Sequence, residues 1–519
     1  MLWRGAVGEG ALAHFAEVLG RERTWRIVGQ TLWMAVAGTA LSVVLGVPGA
    51  YALYRLRFPG RDALRAIATA PFVLPTVVVG VAFRALLAER GPLGGLGLDG
   101  TITAVVLAMA FFNYSVVVRT VGQLWASLDP RSAEAARTLG ASPLRAFATV
   151  TLPQLGPAIA AAASIVFLFC STAFGIVQTL GRPGYGTLET EIYVRTATFL
   201  DLRTAAVLSC LQLAIVVLAV VVANLLRRGT ETSLRLRDSR ERKPGRGDAP
   251  VLGLTLVVVV GLVLAPLAAL LARSFTVDGA WSLANYARLA TAGAGFAGGT
   301  TVLQALEHSV RIAFDAMLVA LAIGVPLALV LSRRPRGRRL VRWQRLLDGA
   351  VMLPLGVSAV TVGFGFVVSL QAASPELARS GALVPLAQAV VALPIVVRLL
   401  VPVLRAIDPR QREAAATLGA SPGRVLRTID GPVLARGLGV AAGFAFAMSL
   451  GEFGATTFLA RPDYLTLPVL IVRLLGRPGA DNYGMAMAAA VVLAVVTGGI
   501  MLICERLRPR GAGGGGGLW

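Results

Sequence analysis

Along most of the chain, apolar residues run nearly unbroken for about twenty positions at a time, and polar residues gather in the gaps. Surface helices of soluble proteins instead repeat their apolar residues every three or four positions, and half-buried strands every two. Unbroken runs of this length cross a bilayer as helices, because a helix satisfies its own backbone hydrogen bonds there. Eleven spans are expected, over 27–54, 66–88, 102–125, 155–180, 204–226, 250–272, 309–332, 347–370, 383–404, 433–458 and 485–504. The fold class is therefore an all-α polytopic membrane protein.

The polar gaps orient these spans. Arg55, Arg57, Arg61 and Arg65 follow the first, and Arg227, Arg228, Arg235, Arg237, Arg240, Arg242, Lys243 and Arg246 follow the fifth. Arg333, Arg334, Arg336, Arg338, Arg339, Arg342 and Arg345 follow the seventh, and Arg506, Arg508 and Arg510 the last. With eleven spans, all four clusters fall on one side, which the retention of basic residues makes cytoplasmic. Residue 1 is then expected outside. The stretch 229–249 ends in Lys243-Pro244-Gly245-Arg246-Gly247 and reads as a cytoplasmic linker. It separates a first transmembrane domain, 1–228, from a second, 250–507, and 508–519 reads as a flexible tail.

Two cytoplasmic gaps carry near copies of one stretch. The first is Leu128-Asp129-Pro130-Arg131-Ser132-Ala133-Glu134-Ala135-Ala136-Arg137-Thr138-Leu139-Gly140-Ala141-Ser142-Pro143. The second is Ile407-Asp408-Pro409-Arg410-Gln411-Arg412-Glu413-Ala414-Ala415-Ala416-Thr417-Leu418-Gly419-Ala420-Ser421-Pro422, with Glu413 lying 279 residues after Glu134. Each reads as a broken helix: the aspartate caps the first turn, proline suits the first helical position, and glycine supplies a left-handed stop. The plainer reading of one copy is an ordinary capped helix. Two copies in the same topological place point to docking elements.

The repeat extends further. At the same offset Leu74-Pro75 matches Leu353-Pro354, Arg119 matches Arg398, Phe174-Gly175 matches Phe453-Gly454, and Arg182-Pro183 matches Arg461-Pro462. Gly46-Val47-Pro48 matches Gly324-Val325-Pro326 one residue short of it. Equivalent residues stand six spans apart, an even number, so the halves are expected to be parallel repeats with a pathway between them.

Composition narrows the function. Hydrophobic residues make up 56% and charged residues 15%, against about 25% charged in soluble domains. The net charge of +22 acts first as a topology signal. No basic patch is interleaved with aromatics on a soluble domain, so no nucleic-acid partner is expected. Cys170, Cys210 and Cys504 lie in separate apolar runs, and His14 and His308 stand alone, so no metal site, disulfide or cofactor is expected. A P-loop requires a lysine that reaches the phosphates. The chain's one lysine, Lys243, precedes Pro244, so any ATP hydrolysis belongs to another polypeptide and no catalytic residue is assigned.

Glu134-Ala135-Ala136 with Gly140 and Leu152-Pro153, and Glu413-Ala414-Ala415 with Gly419 and Gly431-Pro432, resemble the EAA loop of ATP-binding-cassette (ABC) importer permeases. The second copy departs from the pattern at Gly431, where leucine is usual. The resemblance implies that Glu134, Ala135, Ala136 and Gly140, and likewise Glu413, Ala414, Ala415 and Gly419, form coupling helices for two ATPase subunits. Phe58-Pro59-Gly60-Arg61, Phe111-Phe112-Asn113, Ser171-Thr172-Ala173-Phe174-Gly175, Ser449-Leu450-Gly451-Glu452-Phe453-Gly454 and Asp463-Tyr464-Leu465-Thr466-Leu467-Pro468 are similar to the fused permeases of thiamine importers. Ferric-iron permeases are built alike, and sulfate and molybdate permeases share a similar Gly-Glu-Phe-Gly segment. The implied cargo is thiamine or its phosphates, with ferric iron, sulfate or molybdate as alternatives. Thiamine-type permeases usually begin with one more span: either it precedes residue 1 in the complete protein or this chain dispenses with it.

Glu452 falls in the tenth run, where a charge is costly and usually functional. It is expected either to line the pathway or a gate, or to order its helix, neutral or paired with Arg461. Phe174 and Phe453 are candidates for an apolar constriction, with packing as the plainer alternative. Arg119 and Arg398 are expected to snorkel. Segments 181–203 and 459–484 are expected outside, to receive the solute-binding protein that the resemblance implies. An ion-coupled secondary transporter also uses repeated halves, but the duplicated loop and the scarcity of paired intramembrane charge disfavour it. A membrane enzyme lacks a clustered catalytic set.

Overall fold

The computed structural model describes residues 11–182, 184–228, 241–293, 299–333, 335, 337–373, 380–461 and 464–506. Arg235, Arg237, Arg240, Arg334, Arg336, Arg508, Arg510, Pro462, Asp463, most of the linker and the whole tail fall outside them. Among the described residues, nine helices are long and apolar enough to cross a membrane, and two sharply bent pairs bring the number to as many as eleven.

Those two pairs fall on the expected spans 66–88 and 347–370 and show each to be sharply bent. Arg61–Val73 meets Thr76–Leu87 at 111°, and Arg338–Pro354 meets Ala359–Ser369 at 97°. In the first pair, Pro75 forces Leu74 into the extended region (φ −75°, ψ 139°), so the helix must stop and restart. In the second, the break follows the proline, at Val357 and Ser358, and the Ser358 hydroxyl accepts from Val360 N at 3.0 Å to cap the new helix. The runs 155–180 and 433–458 are also broken. Helix Leu152–Ser171 ends before a separate Phe174–Leu180, and Gly431–Leu450 ends before Gly454–Leu459.

The chain forms two compact units, residues 2–273 and 274–518. In the first, helices Glu22–Arg55, Ile102–Ser127 and Leu152–Ser171 pack together; in the second, Val302–Ser332, Leu383–Arg405 and Gly431–Leu450 do so. Lipid offers no hydrophobic drive for helices to associate, so small residues that admit close backbones carry the packing. Ala316, Ala320, Ala389, Ala392, Ala441 and Ala445 fill the second core accordingly. The repeat shows in single contacts: a Cβ on Gly46 would meet Val117 Cγ1 at 2.6 Å, and one on Gly324 would meet Val396 Cγ1 at 2.6 Å.

The unit boundary differs from the expected domain boundary. Helix Arg246–Ser274 was assigned to the second domain by its place after the linker, yet it packs on helix Glu22–Arg55. The linker's end holds it there. Arg242 N donates to Arg55 O at 3.1 Å and Arg57 N to Arg242 O at 2.9 Å, pairing the two segments like strands. Helix Ala11–Gly20 had no sequence expectation, nor had a two-stranded hairpin pairing Thr276 with Trp281 through Asp278-Gly279, both at positive φ.

Candidate coupling site

Each copy of the duplicated stretch is a protruding helix followed by a sharp left-handed turn. In the first, Asp129 Oδ1 accepts from Arg131 N at 3.1 Å and starts helix Arg131–Thr138. In the second, Asp408 Oδ1 accepts from Arg410 N at 2.9 Å and starts Pro409–Thr417. Gly140 and Gly419 then take φ of +89° and +77°, a conformation that a side chain resists. Paired hydrogen bonds close each turn. Gly140 N reaches Arg137 O (3.1 Å) and Ala141 N reaches Ala136 O (3.1 Å); Gly419 N reaches Ala416 O and Ala420 N reaches Ala415 O (both 3.0 Å).

From each turn the chain climbs into a span by the same route. Pro143–Ala146 and Pro422–Val425 pass through π turns at Phe147–Thr151 and Leu426–Asp430 into helices Leu152–Ser171 and Gly431–Leu450. The cause is local. Pro153 and Pro432 lack the N–H for an ordinary turn and crowd the carbonyl four residues back, and a wider turn relieves both.

What each element presents is apolar and open. Leu139 is 89% exposed and Leu418 87% exposed, each directly before its glycine. Ala135 and Ala414 are exposed beside them, and Ala136 and Ala415 are half-buried. Glu134 and Glu413 are exposed, and neither carboxylate makes a hydrogen bond or salt bridge among the described residues.

The two elements are anchored differently. Asp430, with no exposed surface, accepts from Arg412 Nε at 2.8 Å and Arg333 Nη2 at 2.5 Å. Arg412 also donates to Leu404 O at 3.2 Å. The second element is thereby fixed to the ends of helices Val302–Ser332 and Leu383–Arg405. At the matching positions the first element has Ala133 and Thr151, and its side-chain ties are neutral at one end, with Gln154 Nε2 donating to Ser132 Oγ at 3.3 Å and Arg55 Nη1 to Leu128 O at 3.4 Å. Sequence reasoning passed over Asp430, although an acid at the foot of an apolar run was a signal. It also passed over the two leucines, which look like any others until their exposure is seen.

The remaining candidates lie elsewhere. Glu452 is buried at the break before helix Gly454–Leu459. Its Oε1 accepts from Ala455 N at 2.8 Å, and its Oε2 accepts from Thr456 N at 3.0 Å and Thr456 Oγ1 at 2.5 Å. Gln388 Nε2 donates to the same Thr456 hydroxyl at 3.0 Å. These are the contacts of a helix cap, and Arg461 is not among them. Phe174, packed 5.5 Å from Tyr193, and Phe453 are buried within their own units. Arg398 donates to Met352 Sδ at 3.3 Å. Among the described residues, the three cysteines are free thiols and no cluster of metal-ligating side chains occurs.

Comparison with known proteins follows the same lines. The family described as the binding-protein-dependent transport system inner membrane component matches residues 38–232. The thiamine transport system permease protein ThiP of Brucella abortus (strain 2308) is 28% identical, covering 97% of this chain and 90% of the relative. Its counterpart in Escherichia coli (strain K12) is 27% identical, covering 94% and 89%. The sulfate transport system permease protein CysT of Salmonella typhimurium is 34% identical, covering 38% of this chain and 74% of the relative.

Proposed function

Because the chain belongs to the binding-protein-dependent inner-membrane components, the multi-pass permeases of ABC importers, we propose that it forms the pathway for thiamine or its phosphates and is driven by two separate ATPase subunits. The observation that carries the coupling part is the pair of protruding turns with matched bare leucines. Burying a leucine contributes about 1.5–3 kcal/mol, so Leu139 and Leu418 are anchors that a partner cleft would fill. The alanines beside them let its surface approach closely, and Glu134 and Glu413 remain open to a basic residue.

Thiamine is supported by coverage. Relatives named for thiamine transport match nearly the whole of this chain at 90% and 89% of their own length, whereas the one named for sulfate matches 38% of it. A solute-binding protein would deliver the cargo to the outer segments 181–203 and 459–484. ATP hydrolysis would reside in the ATPase subunits, since the chain carries no P-loop lysine.

The test is uptake of labelled thiamine into liposomes holding the chain, its ATPase subunits and its solute-binding protein. Accumulation is expected only with ATP and all components present; uptake by the chain alone would overturn the reading. Calorimetry of the binding protein with thiamine, its phosphates and ferric iron decides the cargo. The double variant Leu139→Asp/Leu418→Asp should release the ATPase subunits on purification, and undiminished retention would remove the coupling assignment.

A further inference from the structure

We infer that Arg338, Arg342 and Arg345 form a binding site for the phosphate of an anionic phospholipid on the cytoplasmic side. Their spacing places all three on one face of helix Arg338–Gly356. With Val341 they line an open recess of about 490 Å³. Among the described residues none of the three has a salt-bridge or hydrogen-bond partner. Three arginine side chains line one recess with no acidic residue in its lining, and guanidinium engages phosphate oxygens through paired N–H donors.

The bend says where this anion sits. Arg338–Pro354 meets Ala359–Ser369 at 97°. If the second segment crosses the bilayer, the first lies along its surface at headgroup depth. On the face adjoining the arginine row, Trp343 is 69% exposed and Leu353 58% exposed, with Leu346 exposed between them. A free phosphate ion has no use for such a stripe. A phospholipid does: its acyl chains lie on the leucines, and tryptophan prefers the interface.

The first half shows the alternative arrangement. Its bent helix Arg61–Thr69 also begins in arginines, but the protein's own side chains engage them. Arg61 is paired with Glu241, and with Asp62 at 2.9 Å; the Arg65 guanidinium lies 3.8 Å over the ring of Tyr54. Among the described residues, the arginines of the second half have no such partners.

The experiment uses the full chain with its ATPase subunits in nanodiscs of mixed phosphatidylglycerol and phosphatidylcholine, with retained lipid counted by native mass spectrometry. Wild type should retain phosphatidylglycerol over phosphatidylcholine. R338Q/R342Q/R345Q should lose that preference by at least about tenfold, and R338K/R342K/R345K, which keeps the charge, should retain part of it. Equal preference in wild type and the glutamine variant would overturn the inference. So would displacement of the lipid by inorganic phosphate, which marks a free-anion site. Loss of ATPase subunits from the glutamine variant with lipid retention intact would overturn it as well, marking the row as a protein contact.

Discussion

Arg412 and Asp430 are joined at 2.8 Å across the base of the second copy of the duplicated element, and the carboxylate's other oxygen is taken by Arg333. A carboxylate with no exposed surface is tolerated because both oxygens meet guanidinium donors. Removing one partner of such a group leaves charge uncompensated, which typically costs about 3–5 kcal/mol. Arg333 is partly exposed, so Asp430→Asn is expected at the lower end, about 3 kcal/mol. Thermal unfolding in detergent checks this. Arg412→Gln combined with Asp430→Asn should cost less than the two changes summed, since the second removes a charge the first has stranded. Strict additivity would mean that the pair carries no coupling energy.

Thr151 stands where Asp430 does in the repeat, so Thr151→Ala should leave stability within about 0.5 kcal/mol of wild type. Measured side by side, the two substitutions show whether the brace belongs to one half.

At Gly140 and Gly419 a Cβ would meet nothing within 4 Å. Substitution there is limited by backbone conformation alone, with φ at +89° and +77°. A non-glycine residue in that region costs about 1–2 kcal/mol, and asparagine tolerates it better than most. Gly140→Val should therefore fold with a modest loss of stability yet lower uptake severalfold, because the turn that aims Leu139 is distorted. Gly140→Asn should retain most uptake. Equal activity of both variants would show that the left-handed turn is dispensable for coupling.

Much of this was legible in the sequence, for reasons that can be named. The spans follow from run length, and the two capped helices with their left-handed turns from aspartate, proline and glycine in cap and stop positions, all of them local signals. Gly46 and Gly324 were visible as a repeat, but not as the places where Val117 and Val396 press against the backbone. Pro75 lies within the expected span 66–88. Yet Leu74-Pro75 bends its span by 111°, because the restriction falls on the residue before proline and the apolar run hides it. The home of helix Arg246–Ser274 was illegible, since it depends on Arg242 pairing with Arg55 and Arg57 across nearly 190 residues of sequence.

That pairing carries its own prediction. Asp248 accepts from Tyr51 Oη at 2.8 Å, from Arg242 Nη2 at 2.7 Å and from Gly245 N at 2.8 Å. The carboxylate thus ties the end of the linker to helix Glu22–Arg55. Asp248→Ala deletes all three bonds and should loosen 241–247, a stretch with cleavable bonds after Arg242 and Arg246, the one after Lys243 being protected by Pro244. Limited trypsin digestion should cut there about tenfold faster or more, as local opening becomes cheaper by about 1.5–3 kcal/mol. An unchanged cleavage rate would show that the strand-like pairing at Leu56 and Arg242 suffices.

Glu452 offers a choice between two roles that stability and kinetics separate. Both carboxylate oxygens accept hydrogen bonds from the first turn of Gly454–Leu459, including two backbone N–H groups. A cap of this kind satisfies donors that would otherwise be buried without partners. Glutamine keeps one acceptor oxygen and turns an NH₂ toward the donors of the other side. Glu452→Gln is therefore expected to cost about 1–3 kcal/mol, and some uptake will be lost with the folded fraction. A cargo contact would behave differently, raising KM through lost binding without an equal loss of stability. The expected result is a lower unfolding temperature with KM for uptake within about twofold of wild type. A tenfold rise in KM at unchanged unfolding temperature would instead place the carboxylate in the pathway. Thr456→Val sharpens the distinction, because it removes the hydroxyl that bridges Glu452 and Gln388 while leaving the charge in place. If Glu452 acts as a cap, that change should reproduce part of the stability loss and again spare KM.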